Sequence, residues 1–517
     1  MQTKTQLSRR ALLSGSAASL ALPLLPRRSR AQTPAISETA WRELGRCIPS
    51  GVLRPNDPRF VRLTQPENLR YYNPPTKPGD APDPDAPFAV VRPRNAQEVA
   101  CAIKWARDNN LPMVPRSGGH SYAGCSTVPG LVISSSAMQS VKVEGDVIEA
   151  GGGVLFGHLL DSLRQTGRYT ITHGRCAGVG LSAYLMGGGL ALDSPHVGMG
   201  CDRVEKVEMV LADGNVVIAS ENAHQDLFWA VRGGGGGNFG FATKWWLRGI
   251  PVDKVVAFSG TWRLSENAHF VFRTLLRALD AAPDRMGAEI TLSTTSATVK
   301  SPWRYEIKLV CELHGPRDEF DSILRAALAA ADQAEARDCS FNDCSSKDLL
   351  ELPYFDAQEF FEILGSPNRY QETSAYAREV SDDFIDQIFR IWPTWPATAS
   401  AARLSIYRLG GKVNTLAPGA TAYVHRTARW LVSTDLDWSG GDSPQVVHEN
   451  LKWQRNVQNH FSNLLGRHGS YYNFPDPGLI NHGWAYWGSN LPRLFQIKAR
   501  YDPDLVFTPP RNQGIWP

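Results

Sequence analysis

Between Phe88 and Ile250 the apolar positions never keep one period for long. "FAVVRP" reads as a strand, "NAQEVACAIKWARDNN" as a helix, and "LPMVPRSGGHS" as a strand that breaks into a glycine loop. Asn95, with Glu98 three residues on, has the form of a capping box and places the helix start. Short β-prone pieces follow ("GLVISSSAM", "SVKVEGDVIEAGGG"), then a helix near "LFGHLLDSLRQTG". "CDRVEKVEMVLADGNVVIAS" alternates on either side of Asp213 and Gly214, which predicts a hairpin. "NAHQDLFWAVRGGGGGNFGFATKWWLRGI" reads as helix, glycine run and strand. From about Val252 to Glu449 longer helical stretches ("ENAHFVFRTLLRALDAA", "DSILRAALAAADQAEA") alternate with strands ("RYEIKLVCEL", "ARWLVSTDLDW"), and a sheet covered by helices is the simplest architecture. "WQRNVQNHFSNLL" and "LPRLFQIKARYDPDLVFTPPRNQGIWP" close the chain as helices, a turn and an irregular tail. The fold class is α+β.

Length changes this picture only by implying two domains or one intertwined pair, since 517 residues exceed a single core. The balance of 54 basic against 51 acidic residues argues against nucleic acid as the partner, which would demand a basic excess. Fifteen Trp, fifteen Tyr and twenty Phe suit a pocket for flat or ring-shaped ligands. Residues 1–31 read as an address: Arg9 and Arg10 precede a short apolar stretch, and "SRA" offers small residues for cleavage before Gln32. A twin-arginine signal of this kind implies export of a folded protein, so a periplasmic or secreted location is expected. No later run of 18 apolar residues follows, and no membrane anchor is expected in the mature form. None of the eight cysteines forms a Cys-x-x-Cys pair, and no metal is expected. In an oxidising compartment, Cys339 and Cys344, close in sequence, and Cys47 and Cys101, each beside a helix, are candidates for pairing.

The chemistry concentrates in two glycine-flanked side chains, His120 in "RSGGHS" and Cys176 in "HGRCAGVG". Here the sequence resembles the berberine bridge enzyme-like flavoproteins, within the vanillyl-alcohol oxidase type of FAD-binding fold. The resemblance implies a PCMH-type FAD-binding domain of two α/β subdomains over residues 40–250. It also implies a substrate-binding domain over 251–449, with an antiparallel sheet covered by helices, and a segment over 450–517 that returns to the FAD domain. It further implies a covalent FAD joined through both His120 and Cys176. Gly118 and Gly119 would let the backbone approach a pyrophosphate. Arg116, Ser117, Ser121, Gly174, Val179, Gly180, Gly187, Gly188, Asn473 and Asn512 join them as cofactor-binding positions. The match of Gly235, Gly237 and Gly240 to G-x-G-x-x-G is set aside, because a nicotinamide site needs strand before and helix after, and here the order is reversed. "LGGKVNTLAPGATAYVHR" resembles the family's substrate-domain hairpin.

One departure bears on mechanism. Many members read Y-x-N-Y where this chain has "YYNF", and Phe474 cannot take a proton. Tyr122, Tyr471, Tyr407, Asp435 and Asp437 stand as alternatives for the base. Val179, three after Cys176, corresponds to the family's gate beside the reactive flavin carbon, where valine accompanies oxygen access. The expected reaction is oxidation of an alcohol or carbohydrate C–H bond by hydride transfer to flavin, with O2 as acceptor and H2O2 as product. A dehydrogenase or natural-product oxidase of the same family, and a flavin-bearing binding protein with little turnover, remain as alternatives.

Overall fold

The computed structural model describes residues 36–72, 83, 85–295, 304–338, 345–363, 365, 367–398, 400–511 and 513–516. The signal-like segment, Cys339, Cys344 and Asn512 lie outside the described residues.

Two small sheets build the first half. One has four strands in the spatial order Val52–Leu53, Ala89–Val91, Leu131–Ser134, Met113–Arg116, with the last three parallel. Parallel pairing needs a crossover, and the helix Ala96–Asp108 supplies it, its start fixed by the Asn95 side chain accepting from the Glu98 N–H at 2.9 Å. Cys47 and Cys101 form a disulfide that ties this helix to the helix Glu38–Cys47. The other sheet is antiparallel, in the order Val141–Glu144, Val147–Gly151, Phe241–Arg248, Val204–Val210, Val216–Ser220. Its last hairpin turns at Gly214, φ 81°, with Asp213 accepting from the Asn215 N–H. The glycine run 233–237 follows the helix Gln225–Val231 and precedes the strand Phe241–Arg248, the order expected from sequence.

A seven-stranded antiparallel sheet builds the second half, in the order Ser345–Pro353, Lys254–Leu264, Tyr305–Leu313, Met286–Thr295, Ala401–Arg408, Trp430–Trp438, Arg369–Ala377. Its strands alternate strictly. Ile290, Leu292, Leu404, Ile406, Val432 and Leu436 face a core built with the helices Ala268–Asp280, Arg317–Asp338, Asp382–Ile391 and Pro444–Leu464. On the helix Ala268–Asp280 one stripe, Val271, Phe272, Leu275, Leu276 and Leu279, is fully buried, and each such side chain contributes about 1.5–3 kcal/mol. The opposite parity, Glu289, Thr291, Arg403, Ser405, Tyr407, Ser433 and Asp435, is polar and turns away from that core.

The expected boundary at 449/450 falls inside the helix Pro444–Leu464. That helix packs on the second sheet, where Gln454 Nε2 donates to the Gln371 and Thr434 carbonyls, so the chain's return begins only after Leu464. From there it does reach the first half: Tyr472 Oη donates to the Gly236 carbonyl, and the Ile515 N–H to Asn238 Oδ1. "LGGKVNTLAPGATAYVHR" is the long loop of an antiparallel pair, Ala401–Arg408 with Trp430–Trp438, and the buried Arg426 ties it to Asp202 at 2.6 Å.

Candidate active site

A cavity of about 280 Å³ runs between the two halves. Its wall begins at Met113–Arg116 and Phe241, passes the loop 117–122 and residues 174–184, and reaches Glu289, Tyr407 and Phe474.

The loop 117–120 and the turn 178–180 lie back to back. A Cβ on Gly118 would run into the Gly178 carbonyl and would lie 2.7 Å from the Gly180 nitrogen, and one on Gly180 would strike the Ser117 hydroxyl. Gly119, at φ 77°, is the left-handed residue that turns His120 inward. The His120 ring then lies 3.8 Å from where a Cβ on Gly178 would stand, two residues beyond Cys176, and both His120 and Cys176 line the cavity. Burial pulls the His120 imidazole below its ordinary range, against the pull of Glu67. Burial pushes the Cys176 thiol up to about 11, opposed by Arg175.

Along the same wall Ser117 Oγ, Tyr184 Oη and Gln513 Oε1 are buried without a hydrogen-bond partner among the described residues. Buried polar atoms are rarely left so, and their alignment on one cavity marks a ligand surface. Together with main-chain glycines that no side chain could replace, this set of donors and acceptors fits a dinucleotide such as FAD.

At the other end stands Tyr407, one of the expected bases, with two side chains that the sequence did not announce. Tyr407 lies close enough to Glu289 to feel its charge, and Arg175, next to Cys176, is ion-paired with the same carboxylate. Glu289 and Tyr407 are register partners on neighbouring strands, and Glu289, Tyr407 and Arg175 all line the cavity. Burial first, then the Glu289 charge, raises the Tyr407 phenol well above its ordinary range.

The other expected positions divide. Ser117, Gly118, Gly119, Ser121, Tyr122, Gly174, Val179, Gly180 and Asn473 line the cavity, with Tyr122 stacked on Phe474 at 5.8 Å between ring centroids. Arg116 is on the wall too, but its guanidinium donates to the Thr64 and Gln65 carbonyls and to Ser126, so it braces the loop. Gly187 and Gly188 do not line the cavity. They stand behind it, where a Cβ would collide with Asn473 and Tyr423 respectively, and so make room for those side chains. Tyr471 is a poor base: its oxygen accepts from the Gly189 and Leu190 N–H groups and from Asn473, and burial raises its phenol well above the usual range. Asp435 and Asp437 are also displaced from the role expected of them. Both clamp Arg403 at 2.6 Å, outside the cavity wall.

Residues 87–220 match the family model described as an FAD binding domain, and residues 470–515 match the one described as berberine and berberine like. The chain is an FAD-linked oxidoreductase whose closing segment is similar to that of berberine-like proteins. This flavoprotein is 29% identical over 435 residues to an uncharacterized FAD-linked oxidoreductase of Bacillus subtilis, covering 81% of the chain and 90% of the relative. It is 26% identical to a carbohydrate oxidase of Microdochium nivale, covering 88% and 91%, and 26% identical to a xylooligosaccharide oxidase of Thermothelomyces thermophilus, covering 83% and 87%. Among solved structures its fold is similar to xylooligosaccharide oxidase from Myceliophthora thermophila, in complex with xylobiose (TM-score 0.76, 23% identity, 92% and 99% covered). It is also similar to berberine bridge enzyme from Eschscholzia californica (TM-score 0.75, 18% identity, 92% and 99% covered).

Proposed function

We propose that this oxidoreductase is an oxidase that removes hydride from a carbinol C–H of a carbohydrate or related alcohol, with FAD held covalently by His120 and Cys176. The observation that carries the reading is the Tyr407–Glu289–Arg175 group on the same cavity as His120 and Cys176. The curated carbohydrate and xylooligosaccharide oxidases support the substrate class. FAD, when bound, supplies the hydride acceptor, and O2 then takes the electrons to give H2O2.

The chain's own work is to hold the substrate and move one proton. A phenol with so high a proton affinity is not ionised at neutral pH, so Tyr407 serves as a relay. Its oxygen takes the substrate hydroxyl proton as its own proton passes to Glu289. Arg175 keeps the Glu289 carboxylate in place. Tyr122 and Phe474, stacked beside the His120 ring, form an aromatic wall suited to the face of a sugar ring. Val179 on the cavity wall is the small side chain that leaves O2 its approach. Export of the folded, cofactor-loaded protein through the segment before Gln32 suits an extracellular sugar.

The test is anaerobic mixing of the purified flavoprotein with mono- and oligosaccharides and simple alcohols, followed by admission of air. Bleaching by at least one sugar, and H2O2 in step with re-oxidation, is the expected result. Bleaching without H2O2 makes the protein a dehydrogenase, and no bleaching across the panel overturns the substrate class. Flavin that leaves the denatured wild-type chain overturns the covalent attachment.

A further inference from the structure

We propose that Asp193, Glu312 and His314 form a zinc-type divalent metal site that staples the loop 187–203 to the second sheet. The cluster lies outside the cavity wall and has no part in the proton relay.

The three side chains come from separate parts of the fold. Glu312 is the last but one residue of the strand Tyr305–Leu313, His314 follows that strand directly, and Asp193 precedes the short helix Ser194–Val197 of the other half. A glycine admits Asp193 to the sheet. Gly287 is the register partner of Glu312, and a Cβ there would run into the Leu192 carbonyl and stand 2.8 Å from the Asp193 Cα. Any other residue at 287 would push the aspartate off its neighbours.

The donor atoms converge. His314 Nε2 lies 3.3 Å from Asp193 Oδ2 and 3.3 Å from Glu312 Oε1, and one donor atom from each residue falls within 4.8 Å of the others. Two donors each about 2.0–2.1 Å from a tetrahedral zinc stand about 3.3 Å apart, so both histidine–carboxylate edges already have the spacing of a shared metal. The hydrogen-bonding pattern agrees. Nε2 of His314 is buried and, among the described residues, has no partner in hydrogen-bond geometry although both carboxylates stand beside it. The carboxylates are almost wholly enclosed, with side chains 7% and 1% exposed, yet among the described residues their side-chain partners are this nitrogen and the amide of Gln358. Gln358 Nε2 donates to both Glu312 oxygens at 3.2–3.3 Å, an outer contact of the kind that orients a ligating carboxylate. His196 stacks on the His314 ring at 4.2 Å and covers the outer side. One nitrogen with two carboxylates favours zinc or a similar transition metal over calcium or magnesium, which take oxygen sets.

The opposing explanation is an ion triad, an imidazolium between two carboxylates that needs no metal. Tag-free protein, stripped with chelator and dialysed against about micromolar free Zn2+, separates the two. Metal content by mass spectrometry is expected at one zinc per chain, with a higher melting temperature than the stripped protein. Asp193→Asn and His314→Gln should each retain under about a tenth as much zinc, while His158→Ala, on the exposed surface, should retain it in full. Flavin absorbance reports whether each variant is folded. Wild-type protein that holds well under one equivalent establishes the ion triad and overturns the proposal, whatever the variants do. Equal retention by both folded ligand variants overturns it too.

Discussion

Glu289→Gln is the most informative single change, because it removes one proton acceptor and leaves the shape of the side chain. In the relay, Tyr407 accepts from substrate only as Glu289 accepts from Tyr407, and glutamine cannot take that proton. The Glu289 side chain is only 9% exposed, which leaves little room for water to take over. The loss is therefore set at about 10³-fold in the rate of anaerobic flavin bleaching, or about 4 kcal/mol of barrier, within the range for general-base catalysis. Substrate affinity should change by less than about threefold, since the amide keeps the shape of the carboxylate beside Tyr407. Tyr407→Phe should fall by a similar factor. The double variant should be no worse than either single by more than about tenfold, because the two act as one unit. Stopped-flow bleaching at saturating sugar measures all three, with flavin absorbance as the check on cofactor content. A Glu289→Gln enzyme that bleaches within threefold of wild type would refute the relay, as would a double variant whose loss equals the product of the single losses.

Three further outcomes follow from buried groups. Lys498, 1% exposed, donates to Asp502 at 2.5 Å and to the Asn238 and Phe507 carbonyls, so Lys498→Met should cost about 3–5 kcal/mol in denaturant unfolding, and Lys498→Met/Asp502→Leu should recover part of it. Burial pulls His425 down to about 4 from an ordinary 6.5, so between those values the unfolded chain binds a proton that the folded one refuses. Stability from this site is full above about 6.5 and falls by up to about 3 kcal/mol as the pH drops toward 4, a slope that His425→Gln should flatten in denaturation curves at several pH values. With the Cys176 thiol pushed up to about 11, its attachment to added FAD should quicken about tenfold per pH unit between about 7 and 9, while a Cys176→Ala chain should show no such dependence by intact mass.

Features governed by neighbours in the chain were legible from the residues alone. The Asn95 cap, the Asp213–Gly214 turn and the helix–glycine–strand order at 225–248 each depend on a few consecutive residues, and each is present in the fold. The site was legible where a motif carried it, and dark where strand register carried it. Strict alternation placed Asp435 and Asp437 on one face, but Arg403, which pairs with both, comes from the adjoining strand 32 and 34 residues earlier. Glu289 had a signal that went unused: a carboxylate at an alternating position inside the apolar run "GAEITLS" must face something polar. Arg175 stood inside the quoted cysteine motif, with nothing in sequence to show that its partner lay 114 residues away. Gly187 and Gly188 looked like cofactor contacts because glycine marks close approach, and only the fold reveals that Asn473 and Tyr423 are what approach.

The order of synthesis gives the returning segment a further meaning. His120 and Cys176 leave the ribosome well before Tyr471, Asn473, Phe474 and Gln513 of the same cavity wall are made. At about 5–20 residues per second, the pocket stays without its closing wall for roughly 20–80 s after His120 has been added. Flavin capture therefore waits for the returning segment, and a ribosome stalled anywhere before Tyr471 would carry a nascent chain unable to enclose the cofactor.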